Sequence, residues 1–139
     1  KLKVAASRAM YKGKPLSQDP LFAARLARVE IDLENMKTTN LRVIAAVAGG
    51  GVPGAESSML KIKGTEIRQE ILSLIRRAMG PYALPFEEAA MHGTNTESTV
   101  GPDEAFSAAA AYFNYRKLSI FGGSNEIQKN IISKMILGL

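Results

Sequence analysis

Apolar residues recur through the middle of the chain at alternating steps of four and three: Phe22, Leu26, Val29, Leu33, Met36, then Asn40, Val43 and Val47. Side chains three and four apart share one face of a helix, and a strip this long needs other helices to cover it. Asp19 stands just ahead of the pattern as a cap, and Pro20 takes the first helical position, where no N–H is required. The stretch "GGGVPG", Gly49 to Gly54, ends the helix. A second strip follows Glu56 and Ser57 and passes through Leu60, Gly64, Ile67, Ile71, Leu74 and Ala78 at the same spacing, until Gly80-Pro81 stops it. Gly64 and Ala78 on that strip predict close helix–helix approach, because neither side chain holds a neighbour away.

The flanking segments are shorter. Residues 1–11 are helical in character and break near Gly13 and Pro15. From Pro81 to Pro102 the chain is polar and rich in breakers, which predicts a loop with at most one turn of helix. Asp103 is placed to cap a further helix carrying Phe106, Tyr112, Phe113 and Leu118. After Gly122-Gly123 a last helix starts at about Ser124, with Ile127, Ile131 and Met135 on one stripe that Ile132 and Ile136 widen. No segment alternates with period two. The expected fold is all-α, one domain over residues 1–139: an antiparallel, up-down four-helix bundle with a short additional N-terminal helix segment.

Composition narrows the chemistry. Cysteine is absent and His92 is the single histidine, so thiolate or histidine metal sites are excluded, and no metal is expected. Glu30, Asp32 and Glu34 lack the inward Glu-x-x-His spacing of di-iron bundles and read as a solvated face. The charge is +5, from 18 Lys and Arg against 13 Asp and Glu, but the cations are scattered, with no basic block and no interleaved aromatics. Nucleic acid is therefore not an expected partner, whereas an anionic small ligand and a plain solvated surface both fit. No apolar run reaches the roughly 20 residues of a membrane span, and the first residues show no signal-peptide pattern. A cytoplasmic location is expected on those grounds. The opening "KLKVAASRAM" lacks an initiator methionine and enters as if partway along a helix, which suggests a piece of a longer protein.

The turn "GGSNE", Gly122 to Glu126, is different in kind. Ser124 or Asn125 can cap the last helix, and Glu126 suits its positive end. Two consecutive glycines serve equally as a simple interhelix turn or as a place where a ligand lies against the backbone.

The stretch "SIFGGSNEIQKNIISKMILGL" resembles the C-terminal motif of the acyl-CoA dehydrogenase family, through Ile120 and Gly123 to Ile131. "SRAMYKGKPL" is similar to the family's Arg-x-x-Phe-Gly element, with Arg8 and Tyr11 in the Arg and Phe places, and "PGAESSMLKIKGTEI" resembles the helix that follows. The resemblance implies the C-terminal helical domain of an enzyme that uses FAD to oxidise the Cα–Cβ bond of an acyl-CoA thioester to a 2-enoyl-CoA. An electron-transfer flavoprotein or similar acceptor is then implied as partner, and a dimer or tetramer, homo- or hetero-oligomeric, as assembly.

The same resemblance puts Arg8 on the FAD pyrophosphate of a neighbouring subunit and Tyr11 against its nucleotide end. Ser124, Asn125 and Glu126 would contact FAD through the last turn, Glu126 as a ribose acceptor, and Gly123 would leave room for substrate and flavin. Three departures accompany it. Gly122 stands where many members carry the catalytic glutamate, so no catalytic residue is expected within these residues; the base would lie upstream of Lys1 or on a partner subunit. The family's Gln-x-x-Gly-Gly-x-Gly-(Tyr/Phe) loop survives only as "RRAMGPYALPF", where Gly80 and Tyr82 are the candidates to keep its geometry. Lys12-Gly13 replaces an immediate glycine after Tyr11. Two rival readings remain at this point, a non-catalytic helical interaction module and a non-catalytic subunit of a heteromeric dehydrogenase. By itself the fragment is expected to be inactive and to self-associate through apolar surface left where other domains dock.

Overall fold

The computed structural model describes residues 1–94 and 97–138. Asn95 and Thr96, inside the expected 81–102 loop, and Leu139, the end of the last motif, lie outside the described residues. Among the described residues the chain is all-α apart from one small hairpin. Four helices make up the predicted bundle set: α2 (Pro20–Ala48), α3 (Glu56–Met79), α5 (Ala105–Asn114) and α6 (Asn125–Leu137), with α1 (Leu2–Arg8) as the additional N-terminal segment. The expected loop holds a short α4 (Glu88–His92) and, at its start, a 3-10 turn over Gly80–Ala83, one turn more than expected.

Capping fixes the start of α2 as the sequence predicts. Asp19 Oδ1 accepts a hydrogen bond from the Phe22 N–H at 2.9 Å, satisfying one of the helix's unpaired donors. Asp19→Ala is expected to lower stability by about 1 kcal/mol and Asp19→Asn by much less, read as shifts in the urea midpoint.

Contacts divide the chain into two compact units. The first joins Lys1–Ala27 to Gln69–Arg116. Its core is built from Ala5 of α1, Met79 at the end of α3, Ala83, and Ala105 and Ala108 of α5, with Ile75 and Ala78 packed against it. Four of the five buried residues are alanines, so backbones rather than side chains set the spacing. Among the described residues Leu74 is the one large side chain that is fully buried. Arg25 Nε and Nη2 both reach Glu70 Oε1, at 2.9 and 2.6 Å, which fits an antiparallel pairing of α2 with α3. Both side chains are more than a third exposed, so the pair contributes little stability. Tyr112 receives the guanidinium groups of Arg76 and Arg116 on its ring, 4.8 and 4.5 Å from the centroid.

The second unit joins Arg28–Arg68 to Lys117–Leu139. Val29, Ile62 and Ile67 are buried in it. The close approach predicted at Gly64 is present: a β-carbon there would meet Met36 Sδ at 3.5 Å, so the thioether rests on the glycine. Lys61 Nζ of α3 donates to Asn125 Oδ1 at the start of α6, 3.1 Å away, and Thr65 Oγ1 donates to the Leu118 carbonyl at 3.4 Å.

Three local expectations change. The first helix ends at Arg8, not at residue 11, because Met10–Tyr11 (β1) pairs antiparallel with Lys14–Pro15 (β2). Lys12 and Gly13 both adopt left-handed backbone, φ +50° and +78°, as a two-residue hairpin turn requires. Asp103 does not cap α5; Glu104 occupies the capping position, without a side-chain hydrogen bond. Leu118, expected within that helix, falls in a 3-10 turn over Tyr115–Ser119. The stripe on α6 is present as helix but stands open, with Ile127, Ile131 and Met135 all exposed.

Candidate functional site

In the first unit, the end of α1 and the hairpin meet the end of α3 around a cavity of about 470 Å³. Each wall has a local cause. Helix α1 stops at Arg8, which turns the chain into β1 and carries Tyr11 to the rim. On the opposite strand of sequence, Gly80 takes φ +56°, ending α3 and leading into one 3-10 turn over Gly80–Ala83 that brings Pro81 and Tyr82 to the same space. The cavity is lined by Arg8, Tyr11, Arg77, Gly80 and Tyr82, among apolar residues such as Leu16 and Met79. A β-carbon at Gly80 would touch nothing within 4 Å, so the glycine leaves its backbone open at this point.

The charge of this lining is one-sided. Arg8 and Arg77 are its two ionised groups, and no carboxylate joins them. Among the described residues neither guanidinium has a hydrogen bond or ion pair. Tyr11 and Tyr82 are each 48% exposed, leaving ring surface available. Lys12 Nζ lies 5.2 Å from the Tyr11 centroid and adds a third cation at the rim. Unpaired guanidinium groups beside open aromatic rings are the donor set of an anionic aromatic ligand, a nucleotide above all.

Sequence reasoning named Arg8, Tyr11 and Gly80, and all three fall on this cavity. It did not single out Arg77, because a helix-end arginine in a dispersed charge pattern carries no signal of its own. Nor did it find Gly101. With φ +91°, Gly101 lies so close against Tyr82 that an added β-carbon would stand 2.6 Å from the ring atoms Cγ and Cδ1.

The turn ahead of α6 belongs to the second unit. Gly122 and Gly123 have φ of +62° and +80°, so left-handed backbone already requires the glycine pair. Gln128 Nε2 reaches back to donate to the Gly122 carbonyl at 2.9 Å, which locks the turn. Ser124 is the cap, its hydroxyl accepting from the Ile127 N–H at 3.4 Å. Asn125 is engaged by Lys61 through its side-chain oxygen. The Glu126 carboxyl is held below the usual carboxylate range by hydrogen bonds from its own backbone N–H and from Ser124, and it is fully exposed. A carboxylate shifted that way is an acceptor and a poor proton abstractor. Gly122 and Gly123 remain exposed, so the turn's backbone is accessible.

The remaining candidates are surface features. Arg28 pairs with Asp32 and Lys37 with Glu34 along α2, as a solvated face does. His92 sits exposed near Glu88, 3.9 Å from its carboxylate. No cluster of three metal-ligating side chains occurs among the described residues, and no described helix is long and apolar enough to cross a membrane.

Comparison with known proteins gives one family and one set of folds. The family model described as acyl-CoA dehydrogenase, C-terminal domain, matches residues 2–137. Among solved structures, a chain in the crystal structure of the ChsE4-ChsE5 complex from Mycobacterium tuberculosis is similar at a TM-score of 0.69 and 24% identity. That match covers 99% of this chain and 33% of the other, so the present chain spans about a third of the length of its structural neighbour. Among curated proteins none matches closely enough to count as a relative.

Proposed function

The chain belongs to the acyl-CoA dehydrogenase C-terminal domain family, and from that premise we propose that it is the FAD-binding and oligomerisation domain of a dehydrogenase acting on acyl-CoA thioesters. The observation that carries the reading is the cavity between α1 and the end of α3, where Arg8, Tyr11 and Gly80 converge. The donor set suits the ADP half of FAD. Arg8 offers a planar, permanent cation to a phosphate, and the tyrosine rings offer faces for a purine. Gly80 leaves the backbone open where the ligand lies closest.

In this reading FAD, when bound, would supply the acceptor for the hydride lost from the acyl Cβ. The chain's own residues bind and orient. Arg8 holds the pyrophosphate and Tyr11 packs on the nucleotide of a neighbouring subunit's FAD, and, taken by itself, the open Gly122-Gly123 turn with Ser124, Asn125 and Glu126 offers backbone and capping groups to FAD. Neither Gly122, which has no side chain, nor Glu126, whose carboxyl is depressed, takes the α-proton, so the base comes from another segment or a partner subunit. The electron acceptor is an electron-transfer flavoprotein or a protein of that kind. Exposed Ile127, Ile131 and Met135 on α6 suit assembly with a second subunit, identical or not.

The complete protein, purified without added cofactor, should carry the visible absorbance of bound flavin. Replacing Arg8 removes a charge-assisted contact of about 1.5–3 kcal/mol, so Arg8→Gln should weaken FAD binding by about 10- to 100-fold. A complete protein that neither retains nor takes up FAD overturns the reading and leaves the interaction-module alternative.

A further inference from the structure

The turn ahead of α6 is closed without help from Asn125. Ser124 caps the helix, and Gln128 Nε2 holds the Gly122 carbonyl. Asn125 is held all the same, by a side chain 64 residues earlier: Lys61 Nζ of α3 donates to its Oδ1 at 3.1 Å. Lys61 is half-buried and stands on a fixed piece of helix. The next residue, Ile62, is buried. One turn further on, buried Thr65 places its hydroxyl oxygen 2.9 Å from the Lys61 carbonyl and 3.4 Å from the Leu118 carbonyl. A lysine ammonium has three donors and no acceptor, so only the oxygen of an amide can face it. Both ends of the Asn125 amide are thereby assigned: Oδ1 is turned to Lys61 and Nδ2 is turned away. Among the described residues the two side chains make no other hydrogen bond, so Nδ2 is an uncommitted donor. An unheld asparagine at the start of a helix readily turns its oxygen to nearby backbone N–H groups instead.

We propose that Lys61 is a positioning residue for the cofactor: by holding Asn125 Oδ1 it presents Asn125 Nδ2 as a donor, so that this point of the turn binds an acceptor atom of FAD. This rests on the reading of the turn as a cofactor contact given above. The exposed Glu126 carboxylate stands next in the chain and can only accept. The turn thus offers a donor and an acceptor side by side, and Lys61 fixes which is which. Without the lysine the amide rotates between orientations, some of which present an acceptor to an acceptor. Binding then has to immobilise a side chain that the protein otherwise holds in advance. Arginine at position 61 is also donor-only and keeps the orientation. Lys61 touches no ligand in this account and acts through Asn125 alone.

The test measures FAD binding by calorimetry to the complete protein freed of cofactor, together with the thermal midpoint of each cofactor-free variant. The variants are Arg8→Gln, Lys61→Met, Lys61→Arg, Asn125→Ala, Asn125→Asp and the double change Lys61→Met with Asn125→Ala. Asn125→Ala should weaken FAD by about tenfold, as the loss of one hydrogen bond does. Lys61→Met should weaken it by about three- to tenfold, and Lys61→Arg should return binding to within about twofold of wild type. In the Asn125→Ala background Lys61→Met should weaken FAD no further. Asn125→Asp keeps a partner for Lys61, so its midpoint should be unchanged or higher, yet it should lose at least about tenfold in FAD affinity because an acceptor replaces the donor. A contact that serves folding alone would leave FAD binding of that variant intact. If Lys61→Met weakens FAD equally with and without Asn125, or Asn125→Asp binds FAD as wild type does, the proposal for Lys61 fails and the FAD reading stands. If Asn125→Ala binds FAD as wild type does while Arg8→Gln does not, the turn has no part in the site and the proposal falls with it, the Arg8 cavity remaining. A wild-type protein that takes up no FAD overturns both.

Discussion

Leu74→Ala is expected to destabilise the protein by about 3–5 kcal/mol, more than any other single truncation in α3. Leu74 is fully shielded from solvent, with a relative exposure of 0%, and among the described residues it is the largest side chain so enclosed. Truncation at so enclosed a position leaves a void shut off from solvent, so a cavity term adds to the lost transfer free energy. Stability for a domain of this size totals about 5–15 kcal/mol, so the variant stands near the limit of folding. The thermal midpoint should fall by on the order of 10 °C. Urea denaturation of wild type, Leu74→Ala and Leu74→Met checks this, with the methionine variant losing less than about 1.5 kcal/mol because volume is retained. Leu60→Ala, at an equivalent position on the same strip but only half-buried, should cost clearly less. Equal losses at 60 and 74 would mean that the strip is buried evenly, contrary to the exposure pattern.

That contrast marks how far the pattern of apolar residues could be read. The two long helices and their ends were legible, because Asp19-Pro20, the Gly49–Gly54 run and Gly80-Pro81 act through local rules: a cap, a missing donor, a left-handed stop. Depth of burial was not. Phe22 and Val29 are buried while Leu33 and Val47, on the same strip, are exposed. Periodicity identifies a face; whether anything covers each part of that face depends on other elements. The α6 stripe shows this most plainly, since its spacing is regular and all three of its residues stand open.

Around the candidate site the same division holds. Arg8, Tyr11 and Gly80 were legible through the resemblance of their motifs, and the chain's belonging to that family agrees with it. The hairpin between them was not, because strands of two residues cannot display alternation and Lys12 is an unusual residue for left-handed backbone. The glycine pair at 122–123 reads from sequence equally as an interhelix turn or as a place of ligand approach, and backbone dihedrals with the Gln128 hydrogen bond account for its turn within the chain. Asn125 likewise has a partner in Lys61, far away in sequence, which no local rule exposes.

Gly101→Ala is the second substitution with a large expected effect, and it links stability to the cavity. Its φ of +91° is strained for any residue with a β-carbon, at a cost of about 1–3 kcal/mol. The new methyl would also stand 2.6 Å from Tyr82 Cγ and Cδ1 and 2.9 Å from its Cβ. Those atoms are the root of the side chain rather than its flexible tip, so either the ring leaves the cavity or the backbone moves. Nucleotide binding should therefore weaken along with stability, by up to the roughly 1–3 kcal/mol that stacking on one ring supplies. A double-mutant cycle separates the two causes. In a Tyr82→Ala background the ring is gone, so Gly101→Ala should lose only its backbone strain and the remaining contact with Cβ. Its cost should fall by at least about 0.5 kcal/mol, and it should have no further effect on ADP binding. If Gly101→Ala costs the same in both backgrounds, and weakens ADP equally in both, Tyr82 is not held in place by that glycine and the ring has no part in the site.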